Sequence, residues 1–257
     1  MRKRTKIIIG AVIVVALSAV AARYIFNWYH NQQHEEPGLT HNVVAEEKPY
    51  SNLIESEDSY MYHQFDDGTL AITGVNGISG DIDLPRAYQG AVVTHVAAGA
   101  FKGNANLQKV NISYPLLIDF YAFQNSSVTE IVIEDNNGLM PETPIGFSPY
   151  CFAECKQLEN FYCDAYMPGM EPYMFAGCTS LKTVTFITPA VNIPEYTFKD
   201  CTSLTEIELP GTIKNIDENA FSGCESLQTV KGFNGSYVET WAKNNGYNWV
   251  GKDIMDT

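Results

Sequence analysis

The sequence predicts a right-handed solenoid of short stacked coils with a parallel β-sheet along one face. Three observations carry that expectation. Phenylalanine recurs at Phe101, Phe123, Phe152, Phe175, Phe198 and Phe221, with spacings of 22, 29, 23, 23 and 23 residues, a period that marks stacked units of supersecondary structure. Five residues before each stands an apolar side chain: Val96, Ile118, Phe147, Met170, Ile193 and Ile216. After each comes L-x-x-V-x-I or an equivalent, whose closing alternation of period two reads as a short strand with one buried face.

The strands centre near Val110, Ile131, Phe161, Val184, Ile207 and Val230. The second repeat fits after deletion of one residue, which brings Val128, Ile131 and Ile133 into the columns held elsewhere by Leu158, Phe161 and Cys163. A single coil cannot bury its own apolar face, so neighbours stabilise one another.

Ahead of the coils, MRKRTK carries four positive charges, and sixteen uncharged residues follow from Ile7 to Ala22. The run lies between a signal-peptide core of about 7–15 residues and a spanning helix of about 17–25. Tyr24, Phe26, Trp28 and Tyr29 suit a membrane interface, which favours an anchor over 7–26 behind a cytoplasmic segment 1–6. Ala19-Val20-Ala21 would equally serve as a cleavage site. Either outcome exports the rest, giving a cell-membrane protein with an extracellular repeat domain or a secreted one. Residues 27–57 are polar, lack the repeat and read as a flexible stalk. His30 and His34 have metal-like helical spacing there but read as exposed linker histidines.

Residues 58–99 are read as an N-terminal cap and first coil, with Asp67-Gly68 as a hairpin turn. The repeats occupy 100–235. The third carries six extra residues in a segment broken by Gly138, Pro141 and Pro144, and its Leu139 and Met140 are candidate contacts, since insertions emerge as loops on one face. At the end, Ser236-x-x-Glu239 is a capping box, Val238, Trp241 and Ala242 share one helical face, and Gly246 is a stop. Trp241 is expected to plug the last coil within a cap over 236–257.

All six cysteines fall on repeat positions. Cys155, Cys178, Cys201 and Cys224 lie three residues after their Phe, Cys163 falls in a strand column, and Cys151 takes a place filled elsewhere by alanine. Buried thiols are the expected state, since side chains in a ladder point in parallel while a disulfide turns its Cβ atoms together. A disulfide remains open because extracellular proteins favour them; zinc would need four converging ligands.

The pattern I-x-x-x-x-F-x-x-C-x-x-L-x-x-V-x-I resembles the BspA-like bacterial leucine-rich repeat family over roughly residues 58 to 250. FDDGTLAITGVNGISGDIDLP is similar to that family's N-terminal unit, and GSYVETWAKNNGYNW to its closing helix and strand. The resemblance implies a leucine-rich repeat solenoid at the cell surface, concerned with adhesion or protein recognition, and carries over no catalytic residue or cofactor.

The chain holds 16 basic and 30 acidic residues, and five of the basic ones lie at or before Arg23. The exported part therefore has a formal charge of about −19, which opposes binding to nucleic acid. Side chains between the buried columns face outward, and they make the second candidate surface. One outward column includes Glu130, Glu206 and Lys109; the next includes Val132, Tyr162, Thr185 and Glu208. Tyr162 is their single aromatic group and the first choice as an anchor. No G-x-S-x-G, H-E-x-x-H or phosphate-binding loop is present. A protein-binding or adhesion module is the leading reading. An envelope scaffold without a specific ligand is the alternative, and a glycan-acting enzyme the remote one.

Overall fold

Alternation in each repeat builds one parallel sheet. The computed structural model describes residues 59–134, 144–167, 169–186 and 192–253, with the backbone of 53–55, all inside one compact unit, Tyr50–Thr257. Eight described strands lie side by side in the order Gly80–Asp83, Leu107–Ile112, Glu130–Ile133, Asn160–Cys163, Thr183–Phe186, Glu206–Glu208, Thr229–Phe233 and Asn248–Lys252. Every neighbouring pair is parallel.

The register matches the sequence columns. Val110 faces Ile131, Ile131 faces Phe161, Phe161 faces Val184, and Ile207 faces Val230. These residues are at most 1% exposed, so each contributes on the order of 1.5–3 kcal/mol by burial. Six strands were expected, and the sheet has two more. Gly80–Asp83 adds Ile82 beside Val110 at one end, and Asn248–Lys252 adds Trp249 beside Val230 at the other.

The apolar residues five places before each Phe form a second, narrower strip. His95-Val96, Leu117-Ile118 and Gly146-Phe147 pair in parallel, as do Asn192–Ile193 and Asn215–Ile216. The first strip joins the N-terminal cap, where Tyr60–Gln64 and Leu70–Val75 make the expected antiparallel hairpin. Asp67 accepts the Thr69 amide at 2.9 Å, and Gly68 takes a φ of 84°. Leu53–Glu55 also pairs antiparallel with Met61–His63. The regular fold thus reaches into the segment read as stalk, because the outer edge of the hairpin still offers unpaired backbone groups.

Opposite the main sheet, the coils turn at their phenylalanines. Successive rings stack at 4.7, 5.5, 5.6, 5.4 and 5.1 Å from Phe101 to Phe221. Main-chain bonds run in one direction here: Phe101 donates to the Ala122 carbonyl, Phe152 to Met174 and Phe198 to Ala220.

The stack ends where the capping box ends it. Ser236 Oγ accepts the Glu239 amide at 3.3 Å, while a Glu239 carboxylate oxygen accepts the Gly235 amide at 2.6 Å. The helix Tyr237–Asn244 follows and lays Trp241 on Phe221 at 5.5 Å, with Tyr247 stacked on Trp241 at 5.2 Å. Gly232 breaks the apolar column for a steric reason. A Cβ there would stand 2.9 Å from the Leu209 carbonyl oxygen and 3.0 Å from the Trp249 ring.

Candidate protein-binding face

Three strands position the centre of the outward face. Val132 on Glu130–Ile133 faces Tyr162 on Asn160–Cys163, which faces Thr185 on Thr183–Phe186, and Thr185 faces Glu208. The columns read from the sequence are therefore real neighbours on one surface.

Cross-coil pairing changes what those residues offer. Glu130 pairs with Lys109 at 3.4 Å, Glu206 with Lys231 at 2.7 Å and Glu208 with Lys252 at 2.7 Å. These partners are about 33–43% exposed, so each pair adds little stability, on the order of 0–1 kcal/mol. Their main effect is to neutralise both ends of the face. Toward the N-terminal end Asn111 donates to Asp83 at 2.8 Å, and in the middle Thr183 donates to Asn160 at 2.7 Å. Glu130, Glu206 and Glu208, singled out as contacts, thus have partners within the fold.

Tyr162 differs. Its phenol is held above the ordinary value, first by burial of its surroundings and then by the negative charges of Asp164 and Glu134. Glu134 and Asp164 follow directly on the two strands, two places beyond Val132 and Tyr162, where their amides donate to the Ile112 and Ile133 carbonyls at 2.9 and 3.0 Å and carry the same alternation one residue further. Tyr166, 40% exposed, follows in the same loop, and its carbonyl accepts the Ile145 amide at 2.9 Å. It lies outside the strand pattern and so carried no periodic signal. Leu139 and Met140 fall outside the described residues.

A second aromatic row went unread. Tyr121, Tyr150, Tyr173 and Tyr196, each two residues before a repeat Phe, stack at 5.2, 4.6 and 5.0 Å. All four have φ between 56° and 62°, the left-handed region that L-residues other than Gly, Asn and Asp rarely enter. Lys102 and Lys199 sit over the terminal rings at 5.4 and 5.2 Å. The sequence carries the signal as Y-x-F in four of the six repeats, those of Phe123, Phe152, Phe175 and Phe198.

The cysteine column has a backbone role. The thiols of Cys155, Cys178, Cys201 and Cys224 donate to the carbonyls of Phe123, Phe152, Phe175 and Phe198 in the preceding coil, at 2.9–3.2 Å. All six cysteines are free. Burial pushes Cys155 up to about 11 and Cys163 to about 12, and holds Cys151, Cys178 and Cys201 well up. Half-buried Cys224 moves down through its contact with Cys201. The five raised thiols are poor nucleophiles and metal ligands, and no group of three or more His, Cys, Asp or Glu able to hold a metal occurs among the described residues.

His95 takes part in a small N-terminal cluster. Its Nδ1 lies 2.9 Å from Thr94 Oγ1, and Phe65 packs against both His63 and His95. Burial lowers its pKa, against the opposing pull of Asp119 and Asp67.

The model of the BspA type leucine rich repeat region matches residues 87–143 and 118–242 in 6 copies. The chain belongs to this family. Among solved structures it is similar to the T. pallidum leucine rich repeat protein, at 23% identity over 69% of this chain and 70% of that one, with a TM-score of 0.43. It is similar to a leucine rich cell surface protein from Faecalibacterium prausnitzii at 20% identity, over 79% of this chain and 44% of that one, TM-score 0.49. The pneumococcal vaccine antigen PcpA matches at 15% identity over 72% of this chain and 51% of that one, TM-score 0.42. No curated protein matches the chain.

Proposed function

We propose that this chain is an exported surface module that holds a protein ligand on the outward face of its main sheet and performs no catalysis. The observation that carries this reading is the division of that face. Ion pairs neutralise its ends, while Val132, Tyr162 and Thr185 form an uncharged centre across three coils. A rigid sheet centred on a tyrosine fits recognition, because aromatic anchors supply large contact area at small entropy cost. Membership in a surface-protein family and the basic, then apolar, N-terminus support export. No described helix is long and apolar enough to cross a membrane, and Ile7–Ala22 lies outside the described residues.

Full-length protein displayed on cells should bind saturably to one or more members of a panel of matrix and neighbouring surface proteins. Tyr162→Ala should weaken that binding at least tenfold without altering the melting temperature. An absence of saturable binding would favour a scaffold without ligand. Repeats protected from protease added outside intact cells would overturn export.

A further inference from the structure

We propose that the ligand presents a cation to this face: an extended segment of a partner protein whose Arg or Lys side chain docks on Tyr162 between Glu134 and Asp164. The inference rests on the outward face being the binding face and adds the chemistry of what binds there. The argument is one of charge complementarity. Lysines on the outward strand columns are committed, Lys109 to Glu130, Lys231 to Glu206 and Lys252 to Glu208. Glu134 takes part in none of the salt bridges among the described residues, and both Glu134 and Asp164 act on the Tyr162 phenol through their charge. Among the described residues the outward columns of the three central strands carry no Lys or Arg, and the tyrosine ring attracts a cation.

Shape agrees with charge. Val132 and Thr185 flank Tyr162 on the neighbouring strands and would receive the aliphatic stem of Arg or Lys, whose head then reaches the carboxylates. Exposed Tyr166 borders the same loop. An anionic partner meets the opposite arrangement, two carboxylates beside the one aromatic anchor. The formal charge of about −19 on the exported part would steer a basic segment inward from a distance. That steering alone is unspecific, so the test separates site from net charge.

Full-length protein in a neutral detergent is titrated into fluorescein-labelled hexa-arginine, with hexaglutamate as control. Glu134→Gln combined with Asp164→Asn should raise Kd at least tenfold, and Tyr162→Ala about fivefold. Glu218→Gln with Glu225→Gln removes the same charge from exposed positions of the last coil, and should change Kd less than twofold. Unchanged circular-dichroism melts confirm that each variant folds. No hexa-arginine binding, or equal weakening by the two charge pairs, overturns the proposal. A panel protein that Tyr162→Ala releases but Glu134→Gln with Asp164→Asn does not would also overturn it, leaving the docking face intact. Indifference of every panel protein to Tyr162→Ala would sink the face itself.

Discussion

Two aromatic ladders run through this molecule, and their difference separates geometry from energy. The phenylalanines and the tyrosines climb at nearly the same spacing, 4.7–5.6 Å against 4.6–5.2 Å, because both inherit the rise from coil to coil. Phe123, Phe152, Phe175 and Phe198 are 0% exposed, while the tyrosines are half-buried and hold left-handed backbone angles. Stacking alone therefore says little about worth. The phenylalanine ladder is the core, and in the tyrosine ladder ring contacts of about 0.5–1.5 kcal/mol per pair are set against backbone strain of about 1–3 kcal/mol per residue.

The strongest way to break that comparison is to empty one rung of each. Phe175→Ala should cost about 3–5 kcal/mol in urea unfolding, through lost burial and a cavity between Phe152 and Phe198. A cost under about 1.5 kcal/mol would mean that the buried ladder is not the core.

Acid–base behaviour gives the next test, because the turn that carries Tyr173 also carries Glu171. Burial raises its carboxyl from 4.5 to about 7. The folded protein thus holds a proton that the unfolded chain releases, so stability is greatest below about 4.5 and falls as pH rises through 7. The decline should reach at most about 3 kcal/mol and should flatten in Glu171→Gln. Parallel pH profiles of the two proteins would sink this assignment.

A smaller effect is expected at Gly177, which has φ 75° and a site where a Cβ would overlap the Glu154 carboxylate. Gly177→Ala should cost about 1–3 kcal/mol. Glu154→Ala introduced alongside should recover the steric part and leave the backbone part. Full recovery would show that the left-handed angle is not costly here.

The finest test inverts a familiar order. At Phe175 glycine should be at least as damaging as alanine, since both empty the core. At Tyr173, φ 58°, Tyr173→Gly should be less destabilising than Tyr173→Ala by about 0.5–1 kcal/mol, because glycine accepts the angle. The same order at both positions would remove the distinction between the ladders.

Much of this architecture was legible from spacing alone. Phe, Leu and Val columns, the thiol column, the Asp67-Gly68 hairpin and the Ser236 capping box each depend on local periodicity or on residues within one turn of one another, which a chain displays before it folds. The centre of the proposed binding face was legible to the same extent, since alternation places Val132, Tyr162 and Thr185 outward whatever surrounds them.

What only the tertiary structure decided depends on how coils lie against one another. Glu206 meets Lys231 and Glu208 meets Lys252 on diagonals 25 and 44 residues apart, so side-chain reach across the stack, not column membership, chose the partners. Gly232 is required because Trp249 arrives from a strand beyond the last repeat. The backbone of the tyrosine turns is left-handed although tyrosine by itself disfavours it, because main-chain bonds to the next coil, such as Tyr173 to the Glu195 carbonyl, hold the turn. Local preference there is worth about 1–2 kcal/mol per residue, and hydrogen bonding and packing between coils outweigh it.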